Sequence, residues 1–131
     1  MQHANGLTPS RQCYLVEILL LEARQGRARQ SEIAARIGVN RPSVTAALRS
    51  LAEGSFIRYE PYGDVALTDM GRQAAERIMT RRGIIRDYLV KFLDIDEGAA
   101  DEAACRMQHA LPDIVFDRLS ARLGKPERDI R

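Results

Sequence analysis

The chain has 131 residues, which suits one compact domain or a small domain with a short helical extension better than two independent domains. Its hydrophobic content of 45% is ordinary for a folded protein and argues against disorder. Its net charge of +2 is unevenly distributed: residues 1–82 contain 12 Arg or Lys against 8 Asp or Glu, and residues 83–131 contain 8 against 10. The longest apolar stretch, residues 15–23, is interrupted by two glutamates and is shorter than the roughly 20 residues of a membrane span. With no signal-peptide pattern and two cysteines, we expect a cytoplasmic protein with reduced thiols and no membrane contact.

The first predicted helix begins at Thr8-Pro9, where a capping hydroxyl is followed by a proline that tolerates the first helical position. Apolar residues then recur at helical spacing from Tyr14 to Leu21. The polar, glycine-containing stretch of residues 24–29 ends this helix.

Two shorter helices follow, separated by a glycine turn. Residues 31–37 have apolar side chains three and four positions apart, and Gly38 ends the segment. Asn40 can cap a third helix, with Pro42 in its first turn and an apolar stripe that continues to Gly54.

The next segment predicts a β-hairpin, with strands at residues 57–60 and 65–68 around a turn at 61–64. Helix, glycine turn, capped helix and hairpin in this order predict a winged helix-turn-helix. From Asp69 the pattern is helical, with stretches to about Arg82, through residues 84–93, over 97–111 and over 112–123. The predicted fold is therefore mainly α, with a two-stranded wing in a DNA-binding domain at residues 1–75 and a helical dimerisation domain at 76–131.

The third helix has the side chains expected of a DNA-recognition helix. Only the face away from its apolar stripe can reach base edges in the major groove, and that face needs polar or basic residues. A polar face is also found on any solvated helix that does not bind DNA. For the tyrosines of the hairpin, the alternative to DNA contact is packing against the rest of the domain. The predicted DNA-binding residues are Arg27, Arg29, Asn40, Arg41, Pro42, Ser43, Thr45, Arg49, Arg58 and Tyr62.

The predicted helix at residues 97–111 contains a pair of residues of the metal-ligating type. Cys105 and His109 share one helix face at a spacing of four, with Gln108 beside them and Asp101 one turn earlier. A thiolate and an imidazole at this spacing can chelate a transition metal, although a buried cysteine beside a hydrogen-bonded histidine is the commoner explanation of such a pair.

From Thr8 to Leu123 the chain resembles the diphtheria-toxin-repressor and manganese-regulator family of metal-dependent repressors. The resemblance rests on residues 8–10 and 13–15, on 31–34 and 39–45 in the helix-turn-helix, on 67–71 after the wing, and above all on 101–111. In that family the last of these segments and a residue near the start of the first helix form the activating metal site. The resemblance thus implies the ligands Cys13, Cys105, Gln108 and His109.

This chain departs from the family pattern at three points. Gln108 replaces a glutamate of the activating site, and Arg82 replaces a histidine of the ancillary site, with Arg86 one turn on. Arginine cannot ligate a cation, so we expect the ancillary site to be absent, with a guanidinium in its place. The SH3-like domain of longer members is also expected to be missing.

The donor set implied by the resemblance contains two sulfurs and one imidazole, which favours Zn(II) or Fe(II) over Mn(II). Either Glu17 or Asp101 is a candidate for completing four-coordination.

The expected function is that of a transcriptional repressor that binds a palindromic double-stranded DNA operator as a homodimer, with the metal as corepressor. Candidate dimer contacts lie among the apolar residues of 84–93, which also suit core packing. One alternative is a regulator in which the two cysteines form a redox switch or hold a cluster. Another is a metal-independent DNA-binding protein with a decayed site. An enzyme is not indicated, because the sequence contains no plausible nucleophile and base, phosphate loop or acid pair.

Overall fold

The computed structural model describes residues 7–60 and 63–124, and within them the chain is mainly helical, as predicted. It divides into two compact units between residues 77 and 78. The elements in chain order are α1 (Pro9–Gln25), β1 (Ala28–Arg29), α2 (Gln30–Ile37), α3 (Arg41–Glu53), β2 (Ile57–Tyr59), β3 (Asp64–Leu67), α4 (Asp69–Leu93), α5 (Glu97–Met107) and α6 (Asp113–Leu123).

The ends of the first three helices follow from local side-chain chemistry. Thr8 Oγ1 accepts a hydrogen bond from Arg11 N at 3.2 Å, and Asn40 Oδ1 accepts one from Ser43 N at 2.9 Å, so the two predicted caps are confirmed. Gly38, which ends α2, adopts a left-handed φ of 80° and donates its N–H to the Ala34 carbonyl. A side chain at that φ would be strained, which is why glycine ends the helix there.

The core of the first unit forms where the apolar stripes of α1, α2 and α3 meet. Leu15 and Ile18 of α1, Ile33 of α2 and Leu48 of α3 are fully buried in this cluster. Val65 of the wing is in the same cluster with 1% of its surface exposed, so the hairpin is packed onto the helices that it follows. This packing holds the outer face of α3 in a defined orientation to the wing.

The wing is part of a three-stranded antiparallel sheet with the order β1-β3-β2. The predicted hairpin of β2 and β3 is confirmed, with Ile57 opposite Leu67. The third strand, β1, was not predicted: Ala28 and Arg29 pair with Val65 and Asp64. A two-residue strand has no periodicity to detect, and it exists only because β3 supplies its hydrogen-bonding partners.

α4 is one helix of 25 residues that begins in the first unit and continues into the second, so the predicted break near residue 83 was wrong. A single glycine lowers helix stability without ending a helix, and Gly83 lies inside it. Ile85, proposed among the dimer contacts, is 1% exposed in the core of the second unit, where it clusters with Ala104 and Phe116.

The prediction that α5 continues to Leu111 was also wrong, because the helix ends at Met107. The N–H of Ala110 donates to the Met107 carbonyl at 3.0 Å, a three-residue spacing that tightens the chain into a turn over residues 108–110. None of the helices in the described ranges is long and apolar enough to cross a membrane.

Candidate DNA-binding surface and metal-ligating residues

The structure places the predicted recognition residues on the outer face of α3. Arg41, Pro42, Ser43 and Arg49 are exposed and Thr45 is half-buried. The opposite face is packed into the core through its apolar stripe, which comprises Val44, Ala47, Leu48 and Leu51. The two-faced character inferred from the sequence is therefore present.

A groove of about 740 Å³ runs between this face, the start of α2 and the wing. Its lining contains four of the predicted residues and five others, namely Arg29, Arg41, Thr45 and Arg49 with Gln30, Ser31, Tyr59, Gly63 and Asp64. Three of these side chains are guanidinium groups, which bind phosphate oxygens and guanine edges by paired hydrogen bonds. The groove thus combines positive charge with a helix face that carries a hydroxyl group.

Those of the remaining predicted DNA-binding residues that the structure describes lie outside the lining of this groove. Arg27 and Arg58 are exposed. The side-chain oxygen of Asn40 is used to cap α3, as described above, which gives that residue a structural role. Tyr62 lies outside the described residues.

Arg29 connects the start of α2 with the wing. Its guanidinium Nε lies 3.7 Å from Asp64 Oδ1, and both side chains are about half exposed. Its backbone N–H donates to Glu32 Oε1 at 3.1 Å, while Gln25 Nε2 donates to the other oxygen of that carboxylate at 2.8 Å. The bond from Gln25 is the main reason that the pKa of Glu32 is lowered. The carboxylate therefore stays charged at the helix start, where negative charge is favourable.

Gln30 is a candidate functional residue that the sequence reading missed. Its Nε2 donates to Thr45 Oγ1 at 2.7 Å, and Tyr59 OH donates to its Oε1 at 2.9 Å. Its partners are 15 and 29 residues away in the sequence, so no local pattern reveals the contact. Gln30 thereby connects the recognition helix to the wing.

Three of the four predicted metal ligands lie at the end of α5. Cys105 is half-buried in the last turn of the helix, Gln108 is 6% exposed, and His109 is half-buried in the turn that follows. The amide nitrogen of Gln108 lies 2.8 Å from Nδ1 of His109. The fourth, Cys13, is half-buried on α1 in the first unit, and both cysteines are free thiols.

Within residues 7–60 and 63–124, no three side chains of the His, Cys, Asp or Glu type converge as a metal site. The second unit supplies one thiol, one imidazole and one amide from the predicted set. A complete coordination shell needs at least one further ligand.

The two carboxylates considered as extra ligands are both bound by arginines. Glu17 accepts a hydrogen bond from Arg36 Nε. Asp101 receives two bonds from Arg82, from Nε at 3.1 Å and from Nη2 at 2.6 Å. These bonds are the main cause of the lowered pKa of Asp101. The arginine found where the resemblance expects an ancillary ligand thus holds a carboxylate by two hydrogen bonds.

Two family models match this chain in succession. Residues 6–65 match the iron dependent repressor N-terminal DNA binding domain, and residues 68–131 match the iron dependent repressor metal binding and dimerisation domain.

Individual relatives agree with these matches. An uncharacterised HTH-type transcriptional regulator of Methanocaldococcus jannaschii is 33% identical over 113 residues, 86% of this chain and 90% of that protein. A manganese-dependent transcriptional repressor solved in complex with manganese has a TM-score of 0.81 and 31% identity over 88% of this chain and 53% of its own. The chain therefore spans about half the length of that repressor. A hypothetical protein of Sulfolobus solfataricus, at 24% identity and a TM-score of 0.70 over 92% of both chains, shares the fold.

These matches confirm the family inferred from the sequence motifs. Both units are accounted for, the first by a DNA-binding domain and the second by a metal-binding and dimerisation domain. The protein belongs to the iron-dependent repressor family, the metal-dependent transcriptional repressors of the diphtheria-toxin-repressor and manganese-regulator type.

Proposed function

We propose that this protein represses transcription by binding a palindromic DNA operator as a homodimer, with Zn(II) or Fe(II) as corepressor. The observation that carries the proposal is the groove beside α3, which is lined by Arg29, Arg41 and Arg49 together with Thr45. Protein–DNA affinity comes largely from phosphate neutralisation and sequence preference from base edges, and this groove offers side chains suited to both. The protein acts in the cytoplasm, where its DNA lies.

In this proposal α3 enters the major groove with Arg41, Ser43 and Arg49 towards the bases. Arg27 and the wing residues Arg58 and Tyr62 contact the backbone on either side. The excess of positive charge in residues 1–82 favours this role over protein binding at the same face.

The corepressor is held, in this proposal, by Cys13, Cys105, Gln108 and His109. Two thiolates and an imidazole suit a borderline cation such as Zn(II) or Fe(II), while Mn(II) prefers carboxylate oxygens. Glu17 and Asp101 are bound by arginines, so water is a better candidate than either for a remaining position. Thiols bind metal as thiolates, and the affinity therefore falls at acid pH.

We further propose that each chain binds one cation and not two. The carboxylate of Asp101 is occupied by the planar guanidinium of Arg82. Because a guanidinium is always charged and has no lone pair to donate, a second cation at this place is repelled and lacks ligands. The guanidinium of Arg82 thus supplies the positive charge that an ancillary metal would supply.

Cys13 belongs to the DNA-binding unit and the other three ligands to the second unit. A cation that takes all four therefore couples metal concentration to the orientation of the recognition helices in the dimer. A cation acts as corepressor when it binds the operator-competent state more tightly than the other states.

The test is a titration of the protein with Mn(II), Fe(II), Co(II), Ni(II) and Zn(II), read by enrichment of sequences from a randomised duplex DNA library. Zn(II) or Fe(II) should give enrichment at the lowest concentration, and Cys13→Ala and Cys105→Ala should abolish the metal dependence. Co(II) provides a second readout, because the thiolate-to-cobalt absorption should weaken in each variant. Calorimetry should give one metal per chain.

Glu102→Gln is the matched control, since Glu102 lies on α5 and pairs only loosely with Arg106 at 3.4 Å. It should leave both readouts unchanged. Metal-stimulated DNA binding that persists in both cysteine variants would show that the ligand assignment is wrong. DNA binding that follows thiol oxidation in metal-free protein would favour the redox alternative, and binding unaffected by chelator would favour a decayed site.

A further inference from the structure

We propose that Gln30 orients the hydroxyl of Thr45 as a hydrogen-bond donor towards the DNA and thereby sets the base preference at one operator position. This inference rests on the proposed function, because it assumes that the outer face of α3 meets base edges. It adds a specificity-determining residue outside the recognition helix.

The three side chains form a chain of hydrogen bonds along the wall of the groove. Tyr59 OH donates to Gln30 Oε1 at 2.9 Å, and Gln30 Nε2 donates to Thr45 Oγ1 at 2.7 Å. All three residues are half-buried, so each is fixed at its base by packing and still reaches the groove. The bonds join β2, α2 and α3, three separate elements of the DNA-binding unit.

The polarity of this chain determines what Thr45 offers to DNA. A threonine hydroxyl has one proton to donate and two lone pairs that accept. The bond from Gln30 Nε2 is directed at a lone pair, so the hydroxyl proton points away from Gln30. In the major groove a donor pairs with N7 of a purine, O6 of guanine or O4 of thymine, and it does not pair with the amino group of cytosine. Thr45 should therefore prefer guanine to cytosine at the base that it contacts.

The Gln30 amide has its oxygen on the side of the wing. A carboxamide has a donor end and an acceptor end, and here the Tyr59 hydroxyl donates to the acceptor end, Oε1. This leaves the amino group facing α3. The wing thus contributes to base preference through Gln30, in addition to any contact of its own with DNA.

Gln30→Glu tests the inference because it preserves shape and reverses polarity. Both oxygens of the new carboxylate accept, so Thr45 must turn its proton inward and present a lone pair to the DNA. In library selection with a randomised duplex and the best metal of the titration, wild type should favour guanine over cytosine about fivefold at one position, as expected for one hydrogen bond. The variant should reverse that preference at the same position.

Three further variants keep the test interpretable. Thr45→Val removes the hydroxyl at similar volume and should erase the preference at that position alone. Tyr59→Phe removes the hydrogen bond to Gln30 Oε1 and should reduce the base preference at that position. Gln73→Glu adds the same charge on an exposed residue of α4 and should lower affinity without changing any base preference.

The failures of the two proposals are distinguishable. If wild type enriches a sequence and Gln30→Glu lowers affinity for every sequence equally, the inference about Gln30 is overturned and the proposed function stands. If wild type enriches no sequence with any of the metals, the proposed function is overturned, and this inference with it.

Discussion

α4 packs tightly against the start of the wing at Gly71, and replacing this glycine with alanine tests the packing of the DNA-binding unit. A Cβ atom at Gly71 would lie 1.9 Å from the carbonyl oxygen of Phe56 and 3.3 Å from Leu67 Cδ2. The oxygen cannot rotate away, because it belongs to the backbone and accepts the N–H of Thr68 at 3.1 Å. Either α4 or the start of the wing must move.

The net effect combines two opposing contributions. Overpacking a core costs up to about 3 kcal/mol. We expect Gly71→Ala to cost this upper value, because the atom that it meets belongs to the backbone and cannot move aside. Alanine in a helix gains about 1 kcal/mol over glycine. We therefore expect Gly71→Ala to lower the free energy of unfolding by about 2 kcal/mol.

Gly83→Ala is the matched control on the same helix. Its Cβ would have Arg86 Nη2 at 3.7 Å as its nearest neighbour, which is ordinary contact. Because no clash opposes the helix preference of alanine, Gly83→Ala should raise the free energy of unfolding by about 1 kcal/mol. The two substitutions should therefore change stability in opposite directions. Urea unfolding followed by circular dichroism measures both, and the reasoning is refuted if Gly71→Ala is as stable as wild type.

Two further predictions concern carboxylates bound by tertiary contacts. Glu22 is 14% exposed and accepts hydrogen bonds from Leu67 N at 3.0 Å and Arg72 Nη2 at 2.6 Å. Glu22→Leu should therefore lower the free energy of unfolding, measured in urea, by about 2 kcal/mol. A loss below about 0.5 kcal/mol would contradict this role. The bonds from Arg82 lower the pKa of Asp101, so the stability they contribute is present above the unfolded pKa of about 3.9 and lost as pH falls through the folded value. Asp101→Asn should therefore be less stable than wild type at pH 7, and in unfolding curves the difference should shrink as the pH falls below the unfolded pKa of about 3.9. A difference independent of pH would exclude the ion pair as its cause.

The helix starts, the glycine stops and the hairpin were predictable because each depends on residues within a few positions. The caps at Thr8 and Asn40 and the left-handed glycine at Gly38 are local hydrogen-bonding and backbone effects. The apolar stripes likewise predicted which face of α3 is outward. The sequence motifs also identified the family, which the comparisons confirm.

The sequence misled where a local signal had no tertiary context. Gly83 suggested a break in a helix that is continuous, because neighbouring turns stabilise it. The end of α5 was placed four residues too late, since the apolar and metal-type residues continue past Met107 while the backbone tightens into a turn.

What the sequence determined by itself is the helix-turn-helix with its hairpin and the two faces of α3. Only the tertiary structure decided the partners of charged and polar groups: Arg82 for Asp101, Glu22 for the end of the wing, and Gln30 between Tyr59 and Thr45. The physical reason is distance along the chain. A carboxylate or an amide looks solvated in a sequence, and it becomes specific only when folding brings a partner from another element within hydrogen-bond reach.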